Sequence, residues 1–526
     1  MNNIIRAFII LLLPTLALGQ ILTESNLPII VIETSEDISN DERISGTMKI
    51  YYKEDGATNK ITDEPEEYNG FIGIKYRGQS SLTLFTKKGY SIETRDEEGE
   101  DENVSLLDMP KENDWVLHGP YSDKSLMRNA LLYTLADSIS PYAPRVKMVE
   151  IVVNDDYQGV YLFTEKIKRD GDRVDVSKLK DDDIEGDDLT GGYILKIDEA
   201  DDSEVAWVSP YSTSSDQPIK FSLVYPEIED IAPQQIEYIE GWMTDFEDLL
   251  DGDDFDNEES GYRKSINTES FIDLLLLNEL SRNVDAYRLS TYMFKDKDSD
   301  DDELHIGPVW DYNLAFGNAD FCDGSDIEGW AYDFNSVCPD DTYQVPFWWS
   351  KLLSDPTFAD DVREKWMKLR NGKFKTENIM GLVSLFEDQL SDPQQRNFQR
   401  WDVLGTYVWP NSFVGSTYED EIEYLRTWIL DRLEWMDQAF DIDLNTNDNL
   451  ADLLSIHTNP VSHSLQIDGV NKNFDSASIF NLDGQVVMEE TDLSTNRIDV
   501  SNLSAGQYWI TVKSDQKTQT LKFVKM

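Results

Sequence analysis

The chain reads as an α+β protein with a β-rich N-terminal lobe, a helix-rich C-terminal lobe and a small all-β sandwich at the C-terminus. Three observations predict this. Residues 28–95 are dominated by strand-forming runs, IIVIET, GTMKIYYK, GFIGIKYRG and GYSIET. From Phe271 onward, apolar residues recur mostly at helical spacing. From about Leu454, short alternating runs are separated by Asp-Gly, Ser-Ala-Gly and Asp-Gln-Lys turns. The 526 residues exceed one small domain, and the segments predicted are 1–19, 20–445 and 446–526.

The first segment has one basic residue, an apolar run and a small-residue end at Ala17-Leu18-Gly19, so residues 1–19 read as a signal peptide cleaved before Gln20. The apolar run is short for a bilayer span, and no other segment is long and apolar enough for one. After the strands of 28–95, Leu106–Leu117 reads as a connector. Ser125–Ile139 is helical by spacing, with Leu126, Ala130, Leu131, Leu135 and Ile139 on one stripe and Asp123 or Ser122 as its cap. VKMVEIVVNDDYQGVYLFTEKI is a hairpin turning at Asn154-Asp155-Asp156, and GGYILKID at 191–198 is a strand. The runs DDDIEGDD and DGDDFDNEE are surface loops. Phe271–Leu280 is a buried helix. Helical patterns follow around 356–370, around 376–391 and over Tyr418–Phe440, where Ile422, Leu425, Ile429, Met436 and Phe440 share a face. NTNDN at 445–449 is a linker.

Composition narrows the function. An aromatic content of 11% with 13 Trp opposes global disorder. A net charge of −57 excludes nucleic acid and anionic membrane as partners of the bulk surface, and favours divalent cations and basic partners. The only cysteines, Cys322 and Cys338, can close one disulfide in an oxidising compartment. The four His residues form no HExxH, no CxxC is present, and no G-x-S-x-G occurs, which disfavours zinc hydrolase and α/β-hydrolase chemistry.

The chemistry concentrates between Glu279 and Gly317. Leu289–Lys295 and Leu304–Trp310 are strand-like and separated by the polar turn DKDSDDDE. An antiparallel hairpin returns the chain to its start, so Asp285, before the first strand, and Asp311, after the second, become neighbours. One carboxylate can then orient an attacking hydroxyl while the other holds a metal. The acidic turn has the carboxylates of a calcium loop but lacks the glycine and terminal Glu spacing of an EF-hand, and reads as a solvated turn.

Several motifs in register extend this reading: IKYRGQSS followed by KKGYSIE, WVLHGPYSDKSLMRN, the NDDYQGVYLFTEKI hairpin, ELSRNVDAY and WDYNLAFGN. Over roughly residues 28–440 the chain resembles the spore-coat protein H (CotH) kinase family, an atypical protein-kinase-like group. The resemblance implies metal-dependent transfer of the ATP γ-phosphate to hydroxyls of proteins, with ATP and Mg²⁺ or Mn²⁺ as cofactors. Asp285 then matches the catalytic-loop Asp and Asp311 the metal-binding Asp. Asn313 stands where the family often has a second Asp. Ser290, five residues after Asp285, stands where a metal-binding Asn is usual. The tail resembles the C-terminal sorting domain of Bacteroidetes proteins exported by type IX secretion, through Asn459-Pro460, IFNLDGQVV, LSAGQY and LKFVKM. That implies contact with the secretion machinery, passage through the periplasm, and a secreted or cell-surface destination. An ordinary carbohydrate-binding or adhesion sandwich has the same strand pattern.

Phosphates require cations. The candidates are Arg77, Lys87, Lys88, Arg128, Lys166 and Lys196, with Arg396 and Arg400 as further ones. Lys196 ranks first because it ends a strand, and Glu165 would pair with it as in the kinase Lys–Glu ion pair. RGQSS can cover phosphates with backbone N–H groups or be a plain turn. Ser290 and Asn313 keep a second reading open, a non-catalytic surface adhesin or scaffold on a kinase-like fold.

Overall fold

The computed structural model describes residues 22–53, 57–199, 203–212 and 217–440, together with the strands and some connections of the tail from residue 455. The expected leader at 1–19 and the linker at 445–449 lie outside the described residues. The chain forms two compact units that divide between Met436 and Asp437.

Seven strands of the first unit form one sheet: β1 (Ile29–Thr34), β2 (Ile44–Tyr51), β3 (Tyr68–Arg77), β4 (Gly89–Arg95), β5 (Asp114–His118), β6 (Val146–Val153) and β7 (Asp156–Glu165). They close a barrel in the order β1-β2-β3-β4-β5-β7-β6, sealed by parallel pairing of β1 with β6. Alternate side chains fill it: Ile30 and Ile32, Met48 and Ile50, Ile72 and Ile74 are all 0–1% exposed. Closure leaves no open edge. The β-rich lobe is therefore a barrel, and the expected connector at 106–117 contains one of its strands. DWVLH escapes a pattern search because its first four residues are all buried and show no alternation. The β6–β7 hairpin turns where expected, with Asn154 at φ 50° and Asp155 at φ 62°, the left-handed pair that such a turn requires.

Helix α1 (Arg128–Asp137) starts three residues later than its spacing predicts. Asp123 accepts the N–H groups of Ser125 at 3.1 Å and Arg128 at 2.9 Å across a turn in which Leu126 adopts φ 63°, so the carboxylate anchors a turn before the helix begins.

A five-stranded antiparallel sheet follows, from β8 (Tyr193–Ile197), β9 (Val205–Ser212), β10 (Pro218–Tyr225), β11 (Thr291–Lys295) and β12 (Leu304–Ile306), in the order β9-β10-β8-β11-β12. The β11–β12 hairpin is the one read from the sequence, with Phe294 opposite His305. Between β10 and β11 lie α2 (Pro233–Asp251) and α3 (Thr268–Ser281). The Asn267 side chain accepts the Ser270 N–H and starts α3, and Arg282 at φ 44° ends it. Residues 271–281 of α3 are all buried, as its unbroken apolar run implies.

Further helices, α4 (Trp348–Ser354), α5 (Pro356–Arg370), α6 (Thr376–Leu390), α7 (Pro393–Arg400) and α8 (Tyr418–Ala439), include the three long ones expected. Ile422, Leu425, Ile429 and Met436 of α8 are each 0% exposed. Cys322 and Cys338 form a disulfide. No helix among the described residues is long and apolar enough to cross a membrane.

The second unit is all-β. A three-stranded sheet (Ser455–Ile456, Ser464–Asp468, Arg497–Asp499) and a four-stranded sheet (Val486–Glu490, Ser476–Phe480, Gly506–Ser514, Lys517–Lys525) share one core of Leu465, Ile498, Ile479, Ile510 and Phe523.

Candidate functional site

The hairpin carries its flanking carboxylates as the sequence proposes. Asp285 lies in the loop after α3, and Asp311 just past β12. Asn283 ties the two flanks: its Oδ1 accepts the Asp285 N–H at 3.3 Å, and its Nδ2 donates to the Asp311 carbonyl at 3.3 Å. A small cavity adjoins this tie, lined among others by Asn283, Ala286, Ser290, Trp310 and Tyr312, but by neither Asp285 nor Asp311.

Helix α1 holds the Asp311 loop from the other side. The Asp311 N–H donates to Tyr133 Oη at 3.0 Å and the Tyr312 N–H to Asn129 Oδ1 at 2.6 Å. Arg128, expected as a phosphate contact, is instead buried, pairs with Asp123 at 2.6 Å and donates to the Ala315 carbonyl at 3.0 Å. It fixes the backbone after Asp311. Tyr287, Ser290 and Asp311 all sit at positive φ, 68°, 46° and 60°. Such left-handed non-glycine residues cost energy and concentrate at functional loops.

Asp285 is gripped by Arg288, a residue sequence reasoning passed over. Its Nη2 stands 2.9 Å from Asp285 Oδ1, and Nη1 stands 3.2 Å from Asp341 Oδ1. Asp285 nevertheless keeps 22% of its side-chain surface open to solvent. Burial raises its pKa, Arg288 opposes the rise, and the Asp198, Asp341 and Glu199 carboxylates add to it; the net direction is up.

The Asp311 carboxyl is pushed up to about 7, first by burial, then by the charges of Asp285 and Asp198, against a lowering by Arg77. Asp311 thus feels the charges of Asp285, Asp198 and Arg77, and Asp285 feels that of Asp198. Asp198 is the second residue the sequence reading missed. Its signal was present, because it ends the same YILKID strand that singled out Lys196.

The cations separate into bound and available. The expected Lys196–Glu165 pair does not form. Lys196 Nζ sits 3.1 Å from Asp198 Oδ2, whereas Glu165, fully buried in the barrel wall, faces Arg145 at 2.7 Å and Arg173 at 3.8 Å. A strand position alone could not show that nearer partners satisfy Glu165. Lys88 is also not free for phosphate: it donates to the Leu82 and Phe85 carbonyls at 2.5 and 2.6 Å, in the segment just after the RGQSS turn. Gly78 in that turn has φ 127°, and a Cβ there would meet Ser81 Oγ at 2.1 Å, so the turn itself demands glycine.

Lys87 is buried against the Val160 carbonyl at 2.6 Å and Asn397 Oδ1 at 2.8 Å, and burial holds its pKa well below the usual lysine range. Lys166 stands 3.6 Å from Asp114. Arg396 pairs with Glu150 at 2.6 Å and Arg400 with Asp156 at 2.8 Å, fastening α7 to the barrel. Arg77 differs from all of these. Among the described residues its guanidinium makes no hydrogen bond or ion pair; it lies over the ring of Trp310, the residue before Asp311, 5.1 Å from the centroid. Asn313 accepts a hydrogen bond from Asn318 through its backbone carbonyl at 2.8 Å, and its side chain makes none among the described residues.

This donor set suits a hard divalent cation with an anionic ligand. Carboxylate oxygens are the preferred Mg²⁺ ligands; the Asp311 pKa is raised first by burial and only then by neighbouring negative charge, the part a cation would offset. Arg77, without a carboxylate of its own, suits a phosphate oxygen.

Residues 74–436 match the family model described as CotH kinase protein, and residues 455–526 match that of the secretion system C-terminal sorting domain. No curated protein matches the chain. The chain belongs to the CotH kinase family and carries a C-terminal secretion sorting domain.

Proposed function

We propose that this is an exported, metal-dependent phosphotransferase that moves the γ-phosphate of ATP to hydroxyl groups of secreted or surface proteins. The observation that carries the reading is that Asn283 ties the Asp285 and Asp311 flanks of one hairpin together, with Arg77 of the barrel lying over Trp310, the residue before Asp311. In this reading the barrel and the helical half are kinase-like lobes, and the tail directs type IX export to the cell surface or medium.

Bound ATP with Mg²⁺ or Mn²⁺ would supply the phosphoryl group and the charge neutralisation that in-line transfer needs. Asp311 would hold the metal, with Asn313 as a neutral neighbour. Asp285, fixed by Arg288, would accept or orient the proton of the incoming hydroxyl; its upward-shifted pKa makes it a better base than a free carboxylate. Arg77, backed by Trp310, would meet phosphate oxygens. Lys196 would do so from the opposite strand.

The test is incubation of purified protein with labelled ATP and Mn²⁺. Autophosphorylation or labelling of an acceptor protein should occur, and should vanish in Asp285→Ala and Asp311→Ala. Equal labelling in both variants sinks the reading. Ser290 and Asn313 favour a second reading, a non-catalytic surface adhesin or scaffold. Its signature is no nucleotide–metal binding by calorimetry at millimolar nucleotide, together with binding to a glycan or protein.

A further inference from the structure

We propose that Asp301, Glu303 and His305, where the acidic turn runs into β12, form a binding site for a divalent transition metal of the Zn²⁺ class. The site lies at the turn end of the β11–β12 hairpin, whereas Asp285 and Asp311 flank its open end. It does not rest on the phosphotransferase reading.

One ligand atom from each of the three side chains lies within 4.8 Å of the other two. Alternation along the strand explains the grouping. Leu304 and Ile306 are 0% and 5% exposed and face the core, so Glu303 and His305 face the other way, and Asp301 joins them there. The trio is oriented from outside, as metal ligands usually are. The His305 ring stacks on Phe294, its partner across the strand pair, with centroids 4.9 Å apart and planes at 9°. Asn267, the residue that starts α3, donates its Nδ2 to Glu303 Oε2 at 3.0 Å. Asp301 Oδ1 accepts the Glu303 N–H at 3.1 Å, which leaves Oδ2 2.8 Å from His305 Nε2.

The donor types select the metal. Carboxylates alone would suit Ca²⁺ or Mg²⁺, and an imidazole shifts the preference to Zn²⁺ and its neighbours. Two carboxylates balance the charge of a divalent ion, and one imidazole with two carboxylates leaves a position for water, a usual Zn²⁺ arrangement. Water can reach it, because the Asp301 and His305 side chains are 44% and 19% exposed. The competing account is a His–Asp hydrogen bond in a solvated turn that needs no ion. A bound ion would replace that contact and, through Glu303 and Asn267, tie the turn to the start of α3.

The test is Zn²⁺ binding by the full chain after chelator stripping, measured by competition with a chromogenic chelator. Millimolar Mg²⁺ and Ca²⁺ are included to fill general carboxylate sites. Zn²⁺ should bind under these conditions and raise the melting temperature. His305→Phe keeps the ring stack, and Glu303→Gln keeps an oxygen for Asn267. Each should weaken Zn²⁺ binding by about tenfold or more and remove the melting shift, with the metal-free protein melting as before. Asp311→Asn should bind Zn²⁺ as the unsubstituted protein does. Absence of Zn²⁺ binding under this competition, or affinity unchanged in both His305→Phe and Glu303→Gln, overturns the proposal. So does a loss found only in Asp311→Asn, which would put the ion at the hairpin flanks.

Discussion

Arg288 Nη2 lies 2.9 Å from Asp285 Oδ1, and the arginine side chain is only 3% exposed. The same guanidinium reaches Asp341 at 3.2 Å, the Tyr343 carbonyl at 3.2 Å and the Val284 carbonyl at 2.8 Å, and lies 4.1 Å from the Phe334 ring centroid. It organises the whole loop. Replacing Asp285 by Asn keeps an oxygen for Arg288 and removes one of several crowded negative charges. Replacing Arg288 by Met strands two carboxylates and two carbonyls. Arg288→Met should therefore cost about 3 kcal/mol in urea unfolding, while Asp285→Asn changes stability little. Equal losses would show that the pair, rather than the arginine, holds the loop.

Under the proposed function, the proton on Asp311 would report a bound cation. Its carboxyl is raised to about 7, so the fold prefers it protonated. That preference stabilises the fold fully below the unfolded-state pKa of about 3.9 and is lost as pH rises through about 7. Asp311→Asn should therefore melt higher than the unsubstituted protein at about pH 8 but not at about pH 4. The backbone permits it, because Asn tolerates φ near 60°. Mn²⁺ must displace the same proton, so its affinity should climb between about pH 6 and 8 with proton release. Calorimetry in two buffers of different ionisation enthalpy measures that proton. Affinity independent of pH, or a variant that melts no higher at alkaline pH, would place Asp311 in a different environment.

The hairpin, the turn at Asn154-Asp155-Asp156 and the long helices were legible because each depends on local chemistry. Strand β5 was not, because four consecutive buried residues mimic a connector. Barrel closure was not, because it depends on β1 meeting β6 across more than a hundred residues. The site was half legible. Asp285 and Asp311 follow from hairpin geometry, but which cation is available depends on which others have already found partners. Glu165 and Lys88 looked suitable by position and are satisfied by Arg145 and by two carbonyls. Asp198 and Arg288 sit beside residues that were singled out, and only the register between β8 and β11 and the folding of the loop show what they touch.

The Cys322–Cys338 disulfide closes a loop separated by 16 residues. Inside it, the Ala331 and Tyr332 N–H groups donate to Glu279 at 2.6 and 2.9 Å, and Glu279 in turn accepts the Tyr287 hydroxyl at 2.8 Å. The bond thus steadies the loop that carries Asp285. Changing both cysteines to serine should lower stability by about 3 kcal/mol. Hydrogen exchange should rise first in residues 285–290. Loss of protection confined to the cysteine loop would break the link between the two segments.

Glu247 offers a pH test away from the site. It is 1% exposed, on α2, and accepts hydrogen bonds from Ser209 on β9 at 2.7 Å and from Trp348 Nε1 on α4 at 2.9 Å. It forms no ion pair among the described residues, and Asp248 adds a further negative charge nearby. Burial pushes its pKa up to about 7, against the lowering effect of its two donors. The protonated form is therefore favoured by the fold; that stabilisation is full below about pH 4 and fades as pH rises through about 7. A glutamine keeps the shape and one oxygen, and cannot ionise. Stability of the unsubstituted protein relative to Glu247→Gln should fall across that window by about 3 kcal/mol, measured by denaturant titration at several pH values. A difference that stays flat with pH would mean that the carboxylate is already compensated in the folded state.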